Sequence, residues 1–157
     1  MLDAVLFDLD GTLADTAPDL CGTVNILLSE EGRPQQPFSR LRPHTSGGVR
    51  GLLGEGFGIE PADPDYARLA ARFLEIYAGR LCELSTLFDG IPALLDTLES
   101  RGIAWGIVTN KRARFTDPLV EALGLGRRTL CVVSGDTTAE AKPSPLPILH
   151  ACTLLGQ

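Results

Sequence analysis

In Ala4-Val5-Leu6-Phe7-Asp8-Leu9-Asp10-Gly11-Thr12-Leu13, an apolar run too short for a helix delivers two aspartates, a glycine and a threonine. Unbroken apolar character predicts a strand over Ala4–Phe7 buried on both faces. Asp8 and Asp10 then stand at the carboxyl end of a strand, where open α/β sheets bind their ligands. Two carboxylates one residue apart repel each other, and a shared hard cation relieves that repulsion. Gly11 allows the sharp turn and close approach such a site needs. The competing reading makes Asp10 or Thr12 the cap of a following helix and leaves Asp8 solvated.

Further polar residues fall at the ends of other apolar runs. Thr109-Asn110-Lys111 follows Ile103–Val108, and Ser134-Gly135-Asp136 follows Leu130–Val133. Read alone, Thr109 is a helix cap. Lys142 precedes Pro143, which restrains the backbone beside it, and falls just before a helical stretch. Thr45-Ser46-Gly47-Gly48-Val49-Arg50 offers hydroxyls and a guanidinium to a substrate's anionic group, or else a helix start with Arg50 in solvent. Lys111 and Arg112, near a strand end, offer contacts to a substrate or else are surface charges, the reading preferred, and two lone histidines, His44 and His150, form no metal pattern.

The elements that must position these groups follow from periodicity. Leu20, Val24, Leu27 and Leu28 predict a helix from about Pro18 to Glu31, closed by Gly32. After a break at Arg33–Pro37 comes a short helical stretch at Arg50–Leu53, then a glycine-rich turn at Gly54, Gly56 and Gly58. Leu69, Phe73, Ile76, Tyr77 and Leu81 form a stripe on a helix over Asp65–Leu84. From Phe88 the pattern turns α/β. It predicts a helix Ile91–Ser100 with Leu94, Leu95 and Leu98 inward, a strand Ile103–Val108, and a helix Phe115–Leu123. A strand Leu130–Val133 and a helix Pro145–Leu155 complete it. The fold class is α/β, a Rossmann-like parallel sheet through right-handed crossovers, interrupted after its first strand by a helical insert. The expected division is residues 1–15 and 87–157 against 16–86.

Composition narrows the function. The 157 residues are 44% apolar and 22% charged, with a net charge of −6. That charge argues against nucleic acid or an anionic membrane surface as partner. An anionic substrate must therefore be drawn in by local cations. No apolar run approaches the roughly 18 residues of a membrane helix, and the start lacks a basic signal-peptide region. Four well-separated cysteines, Cys21, Cys82, Cys131 and Cys152, read as reduced core residues, so a cytoplasmic location is expected.

Asp8-Leu9-Asp10-Gly11-Thr12-Leu13 followed by Asp15 resembles the first motif of the haloacid dehalogenase superfamily of phosphohydrolases. The resemblance implies a helical cap at residues 16–86 and a magnesium-dependent phosphatase. In it Asp8 is the nucleophile forming an aspartyl-phosphate, and Asp10 is the general acid and base. Asp8 and the Asp10 backbone carbonyl take part in holding Mg2+. Thr109, Asn110 (through its backbone N–H) and Lys142 match the phosphate-binding second and third motifs, and Ser46 and Arg50 lie where a cap meets substrate. The wording Asp10–Thr16 is similar to the phosphoglycolate phosphatase group. Ser46–Arg50, Trp105–Lys111 and Arg114-Phe115 resemble its branch acting on N-acetylmuramic acid 6-phosphate. The implied partner is a small phosphorylated metabolite. A β-phosphoglucomutase-like mutase and a non-catalytic ligand-binding fragment are the rival expectations.

One departure stands out. The superfamily's fourth motif is an acidic pair downstream of the lysine, and the 15 residues after Lys142 contain no Asp or Glu. Gly135-Asp136 resembles it but precedes Lys142. The expectation is a fragment of a longer phosphatase whose first strand has an open edge, prone to self-association.

Overall fold

The computed structural model describes residues 2–157. In chain order the elements are β1 (Ala4–Phe7), β2 (Ala14–Asp15), α1 (Ala17–Glu30), α2 (Phe38–Leu41) continuing into a 3-10 turn (Arg42–Gly47), α3 (Gly48–Phe57) and α4 (Tyr66–Ala78). They are followed by β3 (Thr86–Leu87), α5 (Ile91–Ser100), β4 (Ala104–Val108), α6 (Ala113–Ala122), β5 (Val132–Val133) and α7 (Leu146–Leu154). The chain divides into two compact units: the stretch up to Asp15 joined with Thr86–Gln157, and the intervening Thr16–Ser85.

The first unit is α/β. β1, β4 and β5 form one parallel sheet in that order, with Leu6 opposite Gly106, Phe7 opposite Ile107 and Val108 opposite Val133. Gly106 is required by crowding, since a Cβ there would run into Cys131 and Leu6. Phe7 packs edge-on against Trp105 at 6.2 Å between ring centroids, an attractive aromatic geometry. The Trp105 indole N–H donates to Glu99, whose carboxylate also holds Arg128. Leu9, Leu13, Leu95, Ile107, Leu119 and Val133 are fully buried.

Several expectations are corrected. β1 is half-buried along its length, because it pairs with β4 on one side and is the sheet's edge among the described residues. Leu94 points outward at 42% exposure, while Leu95 and Leu98 carry the buried face of α5. β5 is only Val132–Val133, since Leu130 is exposed. A short antiparallel ribbon, Ala14 against Leu87 and Asp15 against Thr86, joins the chain's exit to its return. Two-residue strands carry no periodic signal, so this ribbon was not expected.

The second unit is helical. Gly54 and Gly56 lie inside α3 rather than in a turn, because Leu52, Leu53 and Phe57 are buried and hold the helix together. A Cβ at Gly56 would press on Val24, so that glycine lets α3 approach α1 closely. The left-handed residue that ends α3 is Gly58, at φ +71°. α4 stops at Ala78 and does not reach Leu84. The reason lies at the end of the unit. Asp19 is fully buried, and its carboxylate accepts the N–H of Leu84 at 3.0 Å, the N–H of Ser85 at 2.8 Å and the Ser85 hydroxyl at 2.6 Å. The Arg80 guanidinium stands 3.9 Å away. Those donors are spoken for outside any helix.

Asp19→Ala removes the acceptor and leaves buried donors unmatched. It is expected to destabilise the helical unit by about 3 kcal/mol, with Asp19→Asn intermediate. Urea unfolding and amide exchange in α1 and α4 measure this.

A second expectation concerns acid. Hydrogen bonds from Arg72 to Glu30, Arg68 to Glu31 and Arg128 to Glu99 hold these carboxyls below the ordinary value of 4.5. A depressed folded-state value adds stability above the unfolded-state value. It is lost as pH falls through the folded-state values below 4.5. Urea midpoints hold from about pH 7 to about pH 5 and fall below that, and Arg72→Met removes part of the acid dependence.

Candidate active site

Parallel pairing sends the carboxyl ends of β1, β4 and β5 to the same edge. Phe7 faces Ile107, so Asp8 follows β1 just as Val108 completes β4, and Thr109 comes next. After Asp8 the chain turns. Leu9 drives its side chain into the core, and its carbonyl accepts the N–H groups of Leu13 and Ala14 at 3.1 Å each. Gly11 adopts φ +79°, a conformation costly for any residue with a Cβ. The chain passes from this turn into β2, and α1 begins only at Ala17, so neither Asp10 nor Thr12 caps a helix.

Each aspartate has a lysine. Lys142 Nζ lies 3.1 Å from Asp8 Oδ1 and donates to the Val108 carbonyl at 2.7 Å. Lys111 Nζ donates to Asp10 Oδ1 at 2.9 Å. The expectation that Lys111 is a surface charge fails: its side chain is only 11% exposed. Its pairing with Asp10 spans 101 residues and is invisible to local spacing. Two partly buried ammonium groups beside two carboxylates balance charge in a chain of net −6.

Thr109 is buried, and its Oγ1 accepts the Lys111 N–H at 3.2 Å, which leaves the hydroxyl proton to donate elsewhere. It caps no helix: α6 starts four residues on, where Asp136 Oδ1 accepts the Ala113 N–H at 2.8 Å. Gly135-Asp136 therefore supports the loop after β4, and Gly135 N–H donates to the Lys111 carbonyl. Asn110 turns its side chain to the Lys142 backbone. Asp8, Asp10, Thr109, Asn110, Lys111 and Lys142 thus share one sheet edge.

Ser46 and Arg50 belong to the helical unit. Ser46 is exposed in the 3-10 turn, and Arg50 donates twice to Glu60 in a solvent-facing pair. His44 lies 3.3 Å from Glu55, which also binds Arg40. His150 is exposed on α7.

Among the described residues no cluster of three or more His, Cys, Asp and Glu side chains is in place to hold an ion. The donor set at the strand end is the Asp8 carboxylate and the Asp10 backbone carbonyl, two hard oxygen ligands, with the Asp10 carboxylate engaged by Lys111. That suits Mg2+, which takes one or two carboxylates and keeps several waters. The four cysteines are free thiols, and burial raises Cys131 above the usual thiol range. No helix among the described residues is long and apolar enough to cross a membrane.

Residues 5–157 match the haloacid dehalogenase-like hydrolase family. The chain is 41% identical over 155 residues to the N-acetylmuramic acid 6-phosphate phosphatase of Pseudomonas aeruginosa, covering 99% of this chain and 69% of that protein. It is 44% identical over 153 residues to the phosphoglycolate phosphatase of Xanthomonas campestris, covering 98% and 69%. Among solved structures, a predicted phosphoglycolate phosphatase of Haemophilus somnus aligns at TM-score 0.82 and 25% identity, over 99% of this chain and 72% of that one. A HAD-superfamily hydrolase of Geobacter sulfurreducens aligns at TM-score 0.78 and 23% identity, over 99% and 73%. With a family match over residues 5–157 and relatives more than 40% identical along nearly its whole length, this chain belongs to the haloacid dehalogenase-like hydrolases.

Proposed function

We propose that the chain is a cytoplasmic, magnesium-dependent phosphatase of small phosphate monoesters, acting through an aspartyl-phosphate. The observation that carries the reading is the pairing of Lys142 with Asp8 at 3.1 Å on the sheet edge that also holds Asp10 and Thr109. An ammonium beside the nucleophile is where a phosphoryl group needs positive charge.

An Asp8 carboxylate oxygen attacks phosphorus while the bond to the ester oxygen breaks. Asp10 gives its proton to that leaving oxygen. Asp10 then takes a proton from water as the water's oxygen attacks phosphorus, the bond to Asp8 breaks, and orthophosphate leaves with Asp8 restored. Lys142 and the Thr109 hydroxyl hold the phosphoryl oxygens throughout. Lys111 keeps Asp10 in position, and must yield its hold when Asp10 carries a proton. Asp8 and the Asp10 backbone carbonyl would hold Mg2+, which when bound neutralises the charge shared by carboxylate and phosphate.

Phosphoglycolate is the first candidate substrate and N-acetylmuramic acid 6-phosphate the second. Relatives at 44% and 41% identity bear those two activities in their names. Both compounds carry a carboxylate besides the phosphate. Arg50 and Ser46, on the helical unit read as a cap, are the proposed contacts for it. Arg50's exposed pair with Glu60 is worth well under about 1 kcal/mol, so exchanging Glu60 for a substrate anion costs little.

Release of phosphate from p-nitrophenyl phosphate tests the activity. It is expected to require magnesium and to fall about a thousandfold or more in Asp8→Asn; release that survives the substitution removes Asp8 as nucleophile. Thr109→Val is expected to lower kcat/KM by about a hundredfold. Arg50→Met raises KM for the carboxylated esters about tenfold and leaves p-nitrophenyl phosphate unaffected, because only the former carry the second anion.

A further inference from the structure

Asn110 does something its place beside Thr109 does not require. A primary amide has two N–H donors on one atom and two acceptor sites on the other. Asn110 directs both atoms at one residue: its Nδ2 donates to the Lys142 carbonyl at 2.9 Å, and its Oδ1 accepts the Lys142 N–H at 2.9 Å. The two bonds fix which amide atom is which, since a carbonyl accepts and an N–H donates. They bridge 32 residues, from the end of β4 to the irregular segment that carries the lysine.

We propose that Asn110 is a positioning residue whose side chain sets where the Lys142 ammonium stands. A lysine has four rotatable carbons and a strong tendency to stay in water. Here the ammonium is held at its tip by Val108 and Asp8, 2.7 and 3.1 Å away. The two-point amide clamp holds the other end. With both ends held, the ammonium is in place before a phosphoryl group arrives, so little ordering is left to be done on binding.

The clamp itself is backed. A Cβ at Gly135 would run into the Asn110 carbonyl, so the loop after β5 lies flat against Asn110 as only a glycine permits. The Gly135 N–H donates to the Lys111 carbonyl at 2.8 Å, and Asp136 holds the Ala113 N–H. Gly135-Asp136 is thus the footing of the clamp. Position passes from β5 to Asn110, from Asn110 to Lys142, and from Lys142 to Asp8.

This role rests on the phosphatase reading for its catalytic meaning, and the test separates the two. Three variants are compared with the parent chain: Asn110→Ala, Asn110→Asp, which keeps the acceptor but sets a carboxylate against the Lys142 carbonyl, and Lys142→Ala. The first readout is the rate at which Lys142 is acetylated by an N-hydroxysuccinimide ester, mapped by mass spectrometry with Lys111 as the internal reference. The second is inhibition by orthophosphate and kcat/KM with p-nitrophenyl phosphate. Both Asn110 variants are expected to acetylate Lys142 several-fold faster, with Lys111 unchanged, and to weaken phosphate inhibition about tenfold. In the Asn110→Ala/Lys142→Ala double variant the loss is no greater than in Lys142→Ala alone, because the clamp acts only through the lysine. Additive losses, or a Lys142 acetylation rate that does not move, overturn the inference. Faster acetylation in a chain that releases no phosphate upholds the clamp and sinks the phosphatase reading instead.

Discussion

The parallel register of β1 against β4 is the constraint on which the rest of the α/β unit depends. Antiparallel pairing would send Asp8 and Thr109 to opposite ends of the sheet. Pairing Phe7 with Ile107 and Val108 with Val133 sets the ends of three strands side by side. The register is held by Gly106, where no side chain fits between Leu6 and Cys131, and by the Phe7–Trp105 contact. A slip of one residue would turn Leu6 and Ile107 to the wrong faces and carry the aspartates away from Thr109.

Charge balance is the second constraint. Two carboxylates on alternate residues of one turn repel at close range, and each is answered by a lysine from a distant segment. In the proposed function the Lys142 ammonium that pairs with Asp8 in the ligand-free turn is also the group that holds a phosphoryl anion. In the proposed mechanism, Mg2+ held by Asp8 and the Asp10 backbone carbonyl would let Lys142 turn to phosphate without leaving the Asp8 carboxylate unanswered.

The helical unit is organised around a buried carboxylate, Asp19. Asp19 sits three residues after the unit's first residue, Thr16, and gathers the backbone of Leu84 and Ser85, its last two. An insertion whose two ends are tied together closes its own loop, which reduces the entropy it would otherwise add to the folded chain.

Much was legible in the sequence alone. An unbroken apolar run ending in Asp8 and Asp10 marks a strand and its carboxyl end, and the motif around it marks the family. Helices α1 and α5 follow from spacing and stops within a residue of the observed ends. Local chemistry determines these, since they depend on neighbours along the chain. The partners of Lys111, Asn110 and Gly135 were beyond it. Lys111 looks like a surface charge until β4 and β1 pair, when Asp10 arrives within 2.9 Å. Asn110 becomes a clamp only when Lys142 is brought to it from 32 residues away. Gly54 and Gly56 read as a turn because their weak propensity is local, whereas the burial that keeps them helical comes from Leu52, Leu53 and Phe57 packing in three dimensions. The sequence determined which groups could do the chemistry and at which strand ends they lie. Only the tertiary structure decided which cation meets which carboxylate, because that pairing is set by strand register and loop contact between residues far apart in the chain.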